Sequence, residues 1–153
     1  MVTIIDITTE YSRKHNTNIG SIMFENNYDY DSHQEEIETA KWLVSSFGGN
    51  IVLLKESTKQ KEEKPDYLWD NKYWERKGIN SSKFNTIDIR IRKAFSQINE
   101  KKGGLILDFK NSDLTIEQAK RKVISCASKR FRGNVEIIIK KNQNYIVLNI
   151  IKK

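Results

Sequence analysis

Pro65-Asp66-Tyr67-Leu68-Trp69-Asp70-Asn71-Lys72-Tyr73-Trp74-Glu75-Arg76-Lys77 is the stretch on which the fold turns. Two short runs, Pro65 to Trp69 and Lys72 to Gly78, flank Asp70-Asn71. Asp and Asn both tolerate left-handed backbone, so a two-residue turn and a β-hairpin are expected here. Strand side chains alternate between faces, which places Glu75 with Lys77 on one side and Trp74 with Arg76 on the other. Antiparallel neighbours sit side by side, so Asp66 can approach Glu75 and Lys77. Two carboxylates and one ammonium would then converge at a sheet edge.

Outward from the hairpin, the chain reads as alternating helices and strands. On the N-terminal side, Ile37, Ala40, Leu43, Val44 and Phe47 recur at helical spacing, and Gly48-Gly49 stops the helix. Ser32 with Glu35 three places on reads as a capping box at its start. Asn50 to Lys55 is a short strand, and Glu56 to Lys64, all polar or charged, is an exposed loop. On the C-terminal side, Asn80 to Asn85 is a polar loop and Asn85 caps a helix from Thr86 to about Ile98. Its apolar face is Ile87, Ile91, Ala94, Phe95 and Ile98. Ile89 falls off that face, so a strand over 87–91 stays open as an alternative. Gly104 to Lys110 is a buried-looking strand, Ser112 or Asp113 starts a helix over Thr115 to Lys129, and Val135 to Lys140 with Tyr145 to Ile151 form a closing hairpin. The order α-β-β-β-α-β-α-β-β is that of an α/β sandwich, three layers with a mixed central sheet between flanking helices. Residues 1–30, polar and Asn-rich with an apolar run at Val2 to Ile7, read as a leader or linker ordered in part; residues 31–153 read as the domain.

Charge narrows the class of partner. Residues 1–70 carry 7 basic and 13 acidic side chains, a net −6, whereas residues 71–153 carry 20 basic and 7 acidic, a net +13. So basic a half points to a polyanion such as nucleic acid, with a merely solvated surface as the alternative. The single cysteine, Cys126, excludes a disulfide within the chain and a Cys-based zinc site, and it is expected as a small core hydrophobe. No apolar run approaches the ~20 residues of a membrane span, and the N-terminus has no secretory signal pattern; export would rely on something outside this chain.

The convergence of Asp66, Glu75 and Lys77 suits phosphodiester hydrolysis. Two carboxylates can hold Mg²⁺, with Mn²⁺ or Zn²⁺ as alternatives. The ion lowers the pKa of bound water, and a lysine can orient that water or pair with the phosphate. The structural alternative is an ordinary cross-strand charge pair.

Pro65-Asp66 followed by Glu75-x-Lys77 resembles the PD-(D/E)xK nuclease signature, and the flanking order resembles that superfamily's α-β-β-β-α-β core. Over residues 33–140, the segments EEIETAKWL, PDYLWDNKYWERK, TIDIRIRKAFSQI and LILDF are similar to C-terminal toxin domains of contact-dependent growth-inhibition proteins, which resemble type IIS restriction endonuclease cores. The resemblance implies a metal-dependent endonuclease toxin, with tRNA the favoured substrate and DNA the alternative. It also implies a cognate immunity protein and secreted or cell-surface delivery within a larger protein that acts in the target-cell cytoplasm. A further acid on the first helix is implied too. Glu36 fits best, the alternative being a solvated carboxylate favoured by the helix dipole.

The same resemblance puts Arg90, Lys93 and Gln97 on a helix face bordering the cleft, against the plainer reading of an exposed polar face. Ser81, Ser82 and Lys83 are candidate phosphate contacts, and Lys129, Arg130 and Arg132 candidate backbone contacts. Trp69, Tyr73 and Trp74 could stack on bases, although cover for the sheet is the expectation for Trp74. Two rivals remain. A metal-independent ribonuclease of the barnase, EndoU or colicin type would need a base; His15 and His33, the only histidines, lack an evident partner, which leaves Glu75 as the base with Lys77 and Arg90. A non-catalytic nucleic-acid-binding module is the other.

Overall fold

A computed structural model describes residues 2–14, 20–55, 65–98, 103–130 and 133–152. The elements are β1 (Val2–Asp6), α1 (Thr8–Lys14), β2 (Gly20–Phe24), α2 (Gln34–Phe47), β3 (Gly49–Leu53), β4 (Tyr67–Trp69), β5 (Lys72–Gly78), α3 (Phe84–Ile98), β6 (Gly103–Asp108), α4 (Ile116–Arg130), β7 (Gly133–Lys141) and β8 (Asn144–Lys152). From α2 to β8 this is the order expected from the sequence. The strands form one eight-stranded sheet, β1-β8-β7-β6-β5-β4-β3-β2. β5, β6 and β7 are mutually parallel, while the β3–β4, β4–β5, β7–β8 and β1–β8 pairs are antiparallel. The fold is therefore a mixed α/β sandwich.

Side-chain alternation divides the core into two layers. Leu105, Leu107, Ile137 and Ile139 pack with Ile87, Ile91 and Ala94 of α3 and with Ala119, Val123 and Cys126 of α4. Ile106, Ile138 and Trp74 pack with Tyr11 of α1 and Ile37, Ala40, Leu43 and Phe47 of α2. β6, covered on both sides, is buried along its whole length, which is why its sequence reads as an unbroken apolar run. Gly104 lets this packing close, since a Cβ there would run into the indole of Trp74.

Several local expectations hold. Asp70 (φ 47°) and Asn71 (φ 66°) both take the left-handed turn conformation. Gly48 (φ 72°) ends α2 and donates its N–H to the carbonyl of Val44 at 2.7 Å. Residues 87–91 are helical, and Ile89, off the apolar face, is 42% exposed.

Others are corrected. Ser32 and Glu35 form no capping box; His33 occupies the N-cap of α2 without a side-chain cap, and Ser32 bonds Asp29 instead. The capping box sits at α4. The Gln118 side chain accepts the Thr115 N–H at 2.9 Å, and the Thr115 hydroxyl accepts the Gln118 N–H at 3.2 Å. Asn85 lies inside the first turn of α3 rather than before it. Residues 2–14 and 20–24, within the stretch read from sequence as a leader or linker ordered in part, supply α1 and both edge strands, with β1 paired to β8 and β2 parallel to β3. The loop Glu56 to Lys64 and His15 lie outside the described residues.

The two caps give a paired test. Thr115→Ala should lower unfolding stability by about 1 kcal/mol in urea titrations, while Ser32→Ala should stay within roughly 0.5 kcal/mol of wild type. Equal losses would contradict the assignment.

Candidate active site

The site grows from a parting of two strands. β4 pairs with β5 only from Lys72 to Trp74, whereas β5 continues to Gly78 as the partner of β6. Past Trp74 the β4-facing edge of β5 needs another acceptor for its main-chain N–H, because a buried unpaired amide is costly. Asp66 provides it. Its Oδ2 accepts the Arg76 N–H at 2.8 Å, its own N–H donates to the Trp74 carbonyl at 3.1 Å, and its carbonyl accepts from Leu54 at 2.9 Å. The carboxylate is thereby fixed at the fork, within hydrogen-bonding reach of Glu75.

Glu75 is 1% exposed and Lys77 is mostly covered; Lys77 Nζ lies 3.1 Å from Glu75 Oε2. Glu75 Oε1 is buried and has no donor among the described residues. Glu36 comes from the first turn of α2. Its Oε2 accepts the Tyr28 hydroxyl at 2.9 Å, and its backbone carbonyl accepts the hydroxyl of the fully buried Tyr67 at 2.7 Å. Because the strands part here, Glu36 in the α2 layer also reaches the field of Asp66. Three acids thus share one another's field, Asp66 with both Glu36 and Glu75.

Burial dominates their ionisation. It pushes Asp66 up to about 8, reinforced by the charge of Glu75 and a hydrogen bond with it, and opposed by the Arg76 amide and by Lys77. Burial pushes Glu36 up to about 7, with the charge of Asp66 adding to the rise and the Tyr28 hydroxyl opposing it. Glu75 also rises through burial, held back by Asp66 and Lys77. At neutral pH the cluster therefore retains a proton where a cation could stand.

The donor set fits a hard divalent cation. Asp66 and Glu75 offer carboxylate oxygens side by side, one of them the orphaned Glu75 Oε1. No group of three His, Cys, Asp or Glu side chains among the described residues is gathered around one point. An ion here would be held by two carboxylates and complete its shell with water and substrate oxygen, as Mg²⁺ commonly does.

The other expected residues fall around this centre unevenly. Trp74 packs into the α2-side core, as cover for the sheet, and Trp69 is buried beside it with its indole N–H donated to the Gly48 carbonyl at 3.1 Å. Arg90 and Ser81 line a shallow cleft of about 400 Å³ with Ile79, Asn80 and Thr86, at the end of β5. Ser82, Lys83 and Lys93 are exposed. The side chains of Gln97, Lys129 and Arg130, and the whole of Arg132, lie outside the described residues. His33 bonds the Asp29 carbonyl at 2.8 Å and packs its ring at a tilt against Tyr28, with no second described histidine to pair with. Sequence reasoning missed Tyr28, Tyr67, Asp108 and Lys140. The last two had a visible signal, a charged residue directly after a run of apolar ones.

The fold has a solved counterpart. A chain of the CdiA-CT/CdiI toxin and immunity complex from Burkholderia pseudomallei superposes with a TM-score of 0.55 at 15% identity, over 83% of this chain and 98% of that one. At such identity the likeness concerns the fold. No family model matches the sequence, and no curated protein matches it. Among the described residues no helix is long and apolar enough to cross a membrane.

The raised carboxyls make stability depend on pH. In the unfolded chain Asp66 and Glu36 would ionise near their ordinary 3.8 and 4.5, but in the fold they hold protons up to about 8 and 7. The native state thus binds more protons across that window, and its stability falls as pH rises through it. Metal-free protein in EDTA should show a urea midpoint that declines from about pH 5 to pH 8.5, and Asp66→Asn should flatten the decline. An unchanged slope in the variant would contradict the burial of that carboxyl.

Proposed function

We propose that this protein is a metal-dependent nuclease, a toxin domain of a bacterial competition system that hydrolyses phosphodiester bonds, with tRNA the favoured substrate. The convergence of Asp66, Glu75 and Lys77 at the β4–β5 fork carries this reading. The basic second half of the chain, the PD-(D/E)xK pattern and the fold shared with a chain of a toxin and immunity complex support it. By that likeness the domain would be delivered within a larger protein, act in the target-cell cytoplasm, and be neutralised by a cognate immunity protein.

Asp66 and Glu75 would hold Mg²⁺ or a related cation, which supplies positive charge to the attacked phosphate and makes nearby water more acidic. Beside such a cation Asp66 would be held ionised, and the Arg76 amide keeps its carboxylate in place. Lys77, held at 3.1 Å from Glu75, positions the attacking water and faces the negative charge that builds on the phosphate. Water oxygen bonds to phosphorus as the bond to the leaving ester oxygen breaks; the attacking water gives one proton to solvent and the leaving oxygen takes one from solvent. Glu36, hydrogen-bonded to Tyr28 and within the field of Asp66, is a candidate further acid, although no three acids of the described residues gather around one point.

Purified protein incubated with total tRNA and with plasmid DNA, in EDTA or in Mg²⁺, Mn²⁺ or Zn²⁺, should cut only with metal. Lys77→Ala and Asp66→Ala should each slow cutting by roughly a hundredfold or more. The substrate consumed distinguishes RNA from DNA. Cutting that persists in EDTA would replace this reading with a metal-independent ribonuclease. Salt-sensitive binding without cleavage in any metal would replace it with a binding module.

A further inference from the structure

On the sheet face opposite Glu75 and Lys77, a groove of about 580 Å³ opens beside α2. Three parallel strands end there together. Gly78 and Asn80 follow from β5, Asp108 and Lys110 from β6, and Lys140 and Asn142 from β7 and its turn. In open α/β sheets the crevice beyond the carboxyl ends of the strands is where ligands sit.

The cations of the groove are not equivalent. Arg76 is committed to the protein. Its Nε donates to Thr39 Oγ1 at 2.8 Å, its Nη2 to Asp108 Oδ2 at 3.2 Å, and its Nη1 lies 3.5 Å from Glu35. Lys140 is different. The residue is only 8% exposed, its ammonium lies 5.0 Å from the centre of the Trp42 ring, and no oxygen among the described residues accepts from it. Asp108 draws the charge in, while Arg76 and Lys110 repel it, and burial lowers its pKa. The ammonium opens only into the groove, and there an anion or oxygen acceptor would offset its partial desolvation better than a ring face does.

We propose that this groove binds a phosphate group, with Lys140 as the anchoring cation and Lys110, Asn111 and Asn142 closing around it. If the nuclease reading holds, the phosphate belongs to the substrate strand, at some distance from the scissile bond. If that reading fails, the same chemistry suits the terminal phosphate of a mononucleotide. The groove stands on its own geometry in either case.

Amide chemical shifts of the full chain, titrated with inorganic phosphate, adenosine monophosphate and a short single-stranded RNA, test it. Saturable shifts are expected at Lys110, Asn111 and Asn142. Lys140→Met, which keeps the stem against Trp42, should weaken phosphate-bearing ligands by about tenfold, and Lys140→Arg should largely restore binding. RNA binding is read in EDTA on Lys77→Ala protein, so that cutting does not intrude. An RNA affinity that depends on Lys140 identifies a strand phosphate; dependence confined to adenosine monophosphate and inorganic phosphate identifies a free one. Absence of groove shifts with every probe, or equal binding by folded Lys140→Met, would overturn the proposal. Phosphate binding by a wild type that cuts nothing would defeat the nuclease reading and leave the groove standing. Cutting that is unaffected by Lys140→Met, with no groove shifts, would do the reverse.

Discussion

The hydrogen bond from the Arg76 main-chain N–H to Asp66 Oδ2 holds the point where β4 and β5 part, and both architecture and chemistry follow from it. A strand losing its neighbour inside a sheet must find another acceptor for its amide. Here a side-chain carboxylate takes the place of a backbone carbonyl. The substitution satisfies the sheet, and it also forces a carboxylate into a dry position against Glu75. Two acids so placed cannot both ionise freely, so the fork stores a demand for a proton or a cation.

β5 carries this arrangement on both faces. Glu75 and Lys77 pair on the α3 and α4 side, while Arg76 is bound by Thr39, Asp108 and Glu35 on the α2 side. Buried ion pairs are weak contributors to stability, and apolar residues of similar volume commonly serve as well or better. A central strand that buries charge on both faces therefore gains little stability from those charges. Departures from local consistency of this kind concentrate at functional sites.

Features encoded by a few adjacent residues were legible in the sequence. Asp70-Asn71 announced the hairpin, Gly48-Gly49 the end of α2, and period-2 alternation the separation of Glu75 and Lys77 from Trp74 and Arg76. Features that depend on distant partners were not. Val2 to Asp6 and Gly20 to Phe24 lack strong periodicity because edge strands bury little on their own; pairing with β8 and β3 defines them. Ser32-x-x-Glu35 and Thr115-x-x-Gln118 are equivalent patterns, yet only the second caps a helix, since Asp29 competes for Ser32. Lys140 follows three isoleucines and reads as the polar end of a strand; only the third dimension places it over Trp42.

The position of β1 and β2 at the two borders of the sheet has a practical consequence. Each pairs along five residues with an inner strand, and β8 behind β1 is rich in buried aliphatic side chains at Ile146, Val147, Leu148 and Ile150. A truncation starting near residue 31 would uncover the backbone of β8 and β3 at once. Long, apolar, unpaired strands of that kind template pairing between molecules. Material shortened in this way would be expected to self-associate, so loss of activity in it would report on solubility rather than on the acids at the fork.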